Sequence, residues 1–205
     1  MRQKHIKYVT EELLASEGVI NTIQMIEPKG KQVFLEIGSG KGKFITDIAK
    51  DHPDDHWIAM ELNIDITYRI VEKKKLLDLK NLTIIKGDAE NLLSYIKPDS
   101  IDGIYLNFSD PWPKKKHHKR RLTSELFLKR YQTIMKQGAF IQFRTDHLEL
   151  FEASIEYIEP YFQMTDINYN LAISNYMTEY EIKKRAIGPI YQLTGKVDKH
   201  AQESI

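Results

Sequence analysis

Five short apolar runs, separated by stretches of helical period, constrain this chain more than any other feature of it. Val33-Phe34-Leu35-Glu36-Ile37, His56-Trp57-Ile58-Ala59-Met60, Leu82-Thr83-Ile84-Ile85, Ile101 to Phe108 and Ala139-Phe140-Ile141-Gln142-Phe143 each have the length of a buried strand. The segments between and after them read as helices, over Lys43 to Lys50, about Asn63 to Lys80, Glu90 to Ile96, Thr123 to Lys136 and about His147 to Glu159. In the longest, Ile66, Ile70 and Leu77 share a face. Strand–helix alternation demands crossover connections, and so a mainly parallel sheet with helices on both faces. Two last strand-like runs, near Phe162 to Tyr169 and Ile190 to Val197, have no long helix between them and are expected to pair antiparallel at one edge. The fold class is therefore α/β, a seven-stranded mainly parallel sheet with an antiparallel edge strand. Ligands of such sheets sit beyond the carboxyl ends of the strands.

At 205 residues the chain fits one domain, read as an extension over 1–30 followed by a core over 31–200. It has no cysteine, which excludes disulfides, thiolate metal sites and cysteine nucleophiles, and nothing in it calls for a metal. No apolar stretch follows Met1-Arg2-Gln3-Lys4-His5 as in a signal peptide, and no run is long enough to span a bilayer, so a cytoplasmic location without a membrane partner is expected.

The loops after the strands carry the chemistry. Glu36-Ile37-Gly38-Ser39-Gly40-Lys41-Gly42 ends the first strand and opens a helix. Glycines there permit a tight turn and close approach of a ligand to the backbone. The spacing is G-x-G-x-G, whereas a dinucleotide fingerprint places its third glycine one residue later. A tight strand–helix turn alone would also explain these glycines. The acid ahead of them suits a cationic ligand and would repel a pyrophosphate. Glu61 directly follows the second strand, where a carboxylate can accept two ribose hydroxyls; a solvated acid at the start of the next helix is the plainer reading. Asp88, after the third strand, could accept an adenine amino group or simply cap the helix that follows. Three acids closing three successive strands together specify a nucleoside without phosphates. S-adenosylmethionine fits this description and NAD fits it poorly.

The fourth strand ends in Ser109-Asp110-Pro111-Trp112-Pro113, a loop that its prolines stiffen. Lys114 to Arg121 follows at once with six positive charges and no negative one, so of the net +1 the other 197 residues carry −5. A mildly acidic body with one dense basic loop suggests contact with a polyanion, although a charge run can also be no more than a solvated face.

Residues 107–122, Asn-Phe-Ser-Asp-Pro-Trp-Pro-Lys-Lys-Lys-His-His-Lys-Arg-Arg-Leu, resemble the signature of the bacterial tRNA (guanine-N7-)-methyltransferases. Glu36 to Gly42 is similar to that family's cofactor loop, and Thr145-Asp146 and Thr178-Glu179-Tyr180-Glu181 resemble its later substrate motifs. The likeness runs in order from about residue 2 to 197. It implies a class I, Rossmann-like methyltransferase fold that binds S-adenosylmethionine through Glu36, Gly38, Gly40, Glu61, Asp88 and Ala89. Asp110 would touch both cofactor and substrate at the active site. Substrate contacts would come from Lys114, from Lys116, His117, His118, Lys119, Arg120 and Arg121, and from Asp146 with Thr178, Glu179, Tyr180 and Glu181. The partner implied is tRNA, at a variable-loop guanosine; a homodimer is left open.

Some of these residues have local alternatives. Asp146 could cap the helix starting near His147, and Thr178-x-x-Glu181 has the form of a capping box. The chain is short before the first strand, and residues 167–177 look compressed relative to many family members. An amino-group methyltransferase would commonly show Asp/Asn-Pro-Pro-aromatic where this chain has Asp-Pro-Trp-Pro. A non-catalytic RNA-binding module on the same fold would have no need to keep Glu36, Glu61, Asp88 and Asp110 together. Guanine N7 carries a lone pair and no proton, so Asp110 is expected to orient the base and stabilise positive charge rather than remove a proton. Trp112, Phe108 and Tyr180 are candidates for stacking on it, with core packing the stronger reading for Phe108.

Overall fold

The computed structural model describes residues 5–199. The expected extension begins, and the expected core ends, in residues outside that range. Seven strands, β1 (Val33–Ile37), β2 (His56–Glu61), β3 (Leu82–Lys86), β4 (Ile101–Asn107), β5 (Met135–Thr145), β6 (Gln163–Asn168) and β7 (Tyr191–Lys196), form one sheet in the order β3-β2-β1-β4-β5-β7-β6. All neighbours from β3 through β5 are parallel. The antiparallel member is β7, which lies one place in from the edge and pairs with both β5 and β6.

Period-two alternation divides the core. Val33, Leu35 and Ile37 face a cluster that includes Phe127, Leu128 and Tyr131 of helix α4 (Glu125–Ile134) and Phe151 of α5 (Leu148–Ile158). Phe34 faces the opposite cluster, with Leu14 of α1 (Glu11–Ser16), Ile45 and Ile48 of α2 (Lys43–Asp51), and Ile70 and Val71 of α3 (Ile64–Leu76). On that second face Phe34 stacks on Trp57 with ring centroids 4.5 Å apart. Gly103 of β4 leaves room for this aromatic layer: a Cβ there would stand 2.5 Å from Phe140 Cζ and 3.0 Å from Phe34 Cδ1.

Several boundaries differ from the pattern reading, each for a local reason. The long helix stops at Leu76 rather than Lys80, because Asp78 takes φ +51°. The segment read as a helix near Glu90 is a 3₁₀ turn over Ala89–Ser94. α4 gives way at Met135 directly to β5, which is longer than the expected five residues, with Gly138 at φ +76°. A short α6 (Glu179–Lys184) fills the gap between β6 and β7. No helix among the described residues is long and apolar enough to cross a membrane.

The chain runs outward from β1 through β2 to β3, then returns to lay β4 on the other side of β1. That reversal opens a crevice at the carboxyl ends of β1 and β4.

Candidate active site

A cleft of about 620 Å³ occupies this crevice, with Gly38, Glu61, Asp88, Phe108, Asp110 and Trp112 among its walls. The glycine loop forms one side. Gly38, Gly40 and Gly42 hold φ of +74°, +53° and +81°, values that side chains bearing Cβ resist. The Gly38 and Ser39 N–H groups donate to the Met60 carbonyl at 2.9 and 3.1 Å, which ties the loop to the end of β2. The Gly40 N–H donates to Glu61 Oε2 at 3.0 Å, while Glu61 Oε1 accepts from Leu62 and Asn63, each at 3.0 Å. Burial raises the Glu61 pKa above the ordinary carboxylate value.

Glu36 lies behind the loop with no exposed surface. Its Oε1 accepts from Asn107 Nδ2 at 2.8 Å across the β1–β4 pair. Its Oε2 has no hydrogen-bond partner among the described residues, and neither has Asn107 Oδ1. Burial pushes the Glu36 carboxyl up to about 8. Two orphaned acceptors at the switch point fit a cationic donor from a ligand, as an ammonium would supply. Asp88 does what a cap does, accepting from the Glu90 N–H at 2.8 Å through Oδ1, yet it still lines the cleft beside Ala89. The carboxylates of Glu61, Asp88 and Asp110 on the cleft suit a cationic nucleoside and oppose phosphates.

The opposite wall is the loop after β4. Phe108 and Trp112 take φ of +55° and +40°, left-handed conformations that cost a residue with Cβ on the order of 1 kcal/mol or more each. Asp110 sits exposed between them on the cleft. Lys115–Arg120 then forms a 3₁₀ helix. Lys114, Lys116, Lys119 and Arg120 are exposed, with His117 and His118 half-buried. Arg120 places its guanidinium 5.0 Å from the centre of the Trp112 ring, and the His117 ring meets the same indole edge-on at 5.8 Å. Arg121 departs from the expected RNA-facing set. It is only 2% exposed, and its Nε donates to the Pro111 carbonyl at 2.9 Å, so it secures the proline loop from inside.

Behind Phe108, outside the cleft lining itself, lie the end of β5 and α6. His147, not Asp146, caps α5, its Nδ1 accepting from the Leu150 N–H at 3.2 Å. Asp146 is thereby free to pair with Lys184 at 2.8 Å. The Tyr180 ring lies 5.2 Å from that of Phe108. Thr178 does cap α6, accepting from the Glu181 N–H at 2.9 Å. The Glu181 carboxylate is fully buried between Arg185, 2.6 Å away, and Arg144, 3.4 Å away. Glu179 pairs with Lys73 at 2.8 Å. The fold thus brings together Glu61, Asp88, Ala89, Asp110, Trp112 and Arg120, and keeps Arg121 and Glu181 inward.

Four contributors carried no site role from the sequence. Asn107 stood only as the first residue of the 107–122 signature, with no role assigned to it. Lys86 and Glu11, paired at 2.7 Å on the cleft rim, come from segments far apart in the chain. Arg144 looked like one more strand residue.

A family profile described as "Putative methyltransferase" matches residues 30–193. The tRNA (guanine-N(7)-)-methyltransferase of Lacticaseibacillus casei is 44% identical over 172 residues, 80% of each chain. That of Bacillus subtilis is 37% identical over 207 residues, covering 94% of this chain and 97% of its own. Among solved structures, a SAM-dependent methyltransferase from Aquifex aeolicus superposes with a TM-score of 0.59 at 14% identity, covering 92% of this chain and 89% of its own. A protein from Agrobacterium tumefaciens described as a predicted O-methyltransferase gives 0.60 at 10% identity, covering 90% of this chain and 79% of its own. At such identities the two structures speak for the fold alone.

Proposed function

We propose, from the premise that this chain belongs to the tRNA (guanine-N(7)-)-methyltransferase family, that it transfers a methyl group from S-adenosylmethionine to N7 of a guanosine in tRNA. One juxtaposition carries the reading. Asp110 stands between an acid-lined cleft suited to a cationic nucleoside and the basic segment 114–120 suited to phosphates.

When bound, S-adenosylmethionine supplies a methyl group made electrophilic by its sulfonium. Glu36 with Asn107 would hold the amino-acid end. Glu61 would accept the ribose hydroxyls, and Asp88 with Ala89 would meet the adenine, while Gly38 and Gly40 let the backbone come close. On the RNA side, Lys114, Lys116, Lys119 and Arg120 contact phosphates, and the half-buried His117 steadies Trp112. Asp146 and Tyr180 border the space for the base.

Guanine N7 has an in-plane lone pair and no proton, so no general base is needed at the reacting atom. Asp110 is then a positioning and electrostatic group. It accepts from the N1–H and amino edge of the guanine and counters the positive charge that the base acquires. The stiff, strained loop from Phe108 to Trp112 serves this role, since a misplaced carboxylate would stabilise nothing. N7 lies on a base edge that folded tRNA tends to bury, so the base must be turned out, and Phe108, Trp112 and Tyr180 offer stacking surfaces.

The test is to incubate the protein with labelled S-adenosylmethionine and unmodified tRNA, then digest to nucleosides. Labelled 7-methylguanosine is expected; labelled methyladenosine, or no label, overturns the reading. The variable-loop position, which the family resemblance suggests, is read by chemical cleavage of the product at 7-methylguanosine.

A further inference from the structure

The segment Thr178–Glu181 presents four polar side chains to any reader of its sequence, but the fold spends three of them on itself. Thr178 Oγ1 caps α6, and Glu179 is held by Lys73, whose Nζ also donates to the Lys41 carbonyl of the glycine loop at 2.6 Å. Glu181 Oε1 accepts from Arg185 Nη2 at 2.6 Å and Nε at 3.0 Å, and Oε2 lies 3.4 Å from Arg144 Nη1. That buried carboxylate has both oxygens engaged by arginines, unlike Glu36, whose Oε2 is left without a partner among the described residues.

The two arginines extend the device. Arg144 Nη1 donates to the Tyr176 carbonyl at 3.0 Å and its Nε to Gln192 Oε1 at 2.7 Å, while its guanidinium lies 5.8 Å from the centre of the Phe44 ring. Arg185 donates to the carbonyls of Leu171 and Ala172 at 2.7 and 3.0 Å. Together they fasten the loop before α6 to β5, β7 and α2. Burial lowers the pKa of Arg144, and a carboxylate lodged beside it offsets that cost. Tyr180 is the most exposed of the four at 47%, its ring between Phe108 and Lys184 Nζ, the latter 5.1 Å from the ring centre.

We infer that Glu181, Arg144 and Arg185 form a positioning bracket that does not touch RNA but fixes Tyr180 beside the cleft, so that Tyr180 alone of residues 178–181 offers its side chain to the target base. The inference rests on the proposed function for the identity of that base. It departs from the expectation that Glu181 itself contacts substrate.

A double-mutant cycle tests it. Tyr180→Ala, Glu181→Gln and the double variant are measured for tRNA binding by equilibrium titration and for the KM and kcat of methyl transfer. Cofactor affinity is measured alongside, with thermal melts as a control for folding. Loss of one stacked base predicts that Tyr180→Ala weakens tRNA binding roughly 10- to 100-fold, with cofactor affinity within about twofold of wild type. Glu181→Gln should move the same tRNA parameters in the same direction, and the double variant should be no worse than Tyr180→Ala, because the bracket acts only through the tyrosine. Multiplying losses in the double variant would overturn the inference, as would a Glu181→Gln defect in kcat beside a neutral Tyr180→Ala. Should Glu181→Gln fail to fold, Arg185→Lys takes its place in the cycle, with the same non-additivity expected. A wild-type protein that binds tRNA but forms no 7-methylguanosine would remove the proposed function and leave the binding cycle readable.

Discussion

Replacing Glu36 by Gln should stabilise the unliganded protein and at the same time remove its affinity for S-adenosylmethionine. The carboxyl is fully buried, holds one hydrogen bond from Asn107 and is pushed up to about 8. Unfolded, it would ionise near the ordinary glutamate value of 4.5. Between those two pH values the folded state binds a proton that the unfolded state has released, so stability falls as pH rises through this window. At 1.36 kcal/mol per pH unit the loss approaches about 5 kcal/mol by pH 8 and vanishes below pH 4. Glutamine cannot ionise, keeps an acceptor for Asn107 Nδ2 and brings a donor to a site where Asn107 Oδ1 lacks a partner. At roughly 2–4 °C per kcal/mol for a chain of this size, the two melting curves should coincide near pH 4 and diverge by about 10 °C or more by pH 8. Added S-adenosylmethionine should then reverse the order, raising the wild-type Tm by mass action and leaving Glu36→Gln nearly unmoved. Melting temperatures that run parallel from pH 5 to pH 8 would refute the reasoning, since Glu36 would then titrate like an ordinary surface acid.

The same group predicts that cofactor affinity rises with pH up to about 8 and flattens above it, because a bound cation favours the ionised carboxyl; titrations in buffers of different ionisation enthalpy should show up to one proton released at pH 7. Asp110→Asn should retain cofactor affinity while single-turnover methyl transfer falls about 10²- to 10³-fold; near-normal single-turnover rates would end its assigned role. Lys116→Ala should weaken tRNA binding without regard to sequence and reduce the slope of log affinity against log salt by about 1. Gly103→Ala should cost about 1–3 kcal/mol in denaturant unfolding, since the new Cβ meets Phe140 at 2.5 Å.

The parallel part of the sheet was legible because its strands are buried on both faces and read as continuous apolar runs, as Val33 to Ile37 does. The acids at positions 36, 61, 88 and 110 could be placed because chain order dictates which loops share one edge. Side-chain direction was not legible. Arg121 stands in a run of exposed cations and nothing in its neighbours signals that it turns inward to Pro111. Glu181 shares its i, i+3 spacing with every capping box, and the half in which Thr178 accepts from its N–H is indeed formed. Its partners Arg144 and Arg185 reach it through tertiary packing and one helical turn, which spacing does not distinguish from solvent exposure. His147 took the cap from Asp146 for a similarly local reason: its Nδ1 reaches the Leu150 N–H. Phe108, read mainly as core, owes its place on the cleft to a positive φ that no propensity would assign to phenylalanine.

The position of β7 between β5 and β6 also bears on how the protein is made. On a ribosome, β5 is complete at Thr145, but the strand that covers its open side begins only at Tyr191. At roughly 5–20 residues per second, the 45 residues between them leave that hydrogen-bonding edge bare for about 2–9 s. Arg144 waits over most of the same interval for Glu181. The crevice built from β1 to β4 can therefore take shape early in synthesis, whereas the side formed by β5, β7 and α6 closes late. Agents that shield nascent strand edges should matter most in that interval.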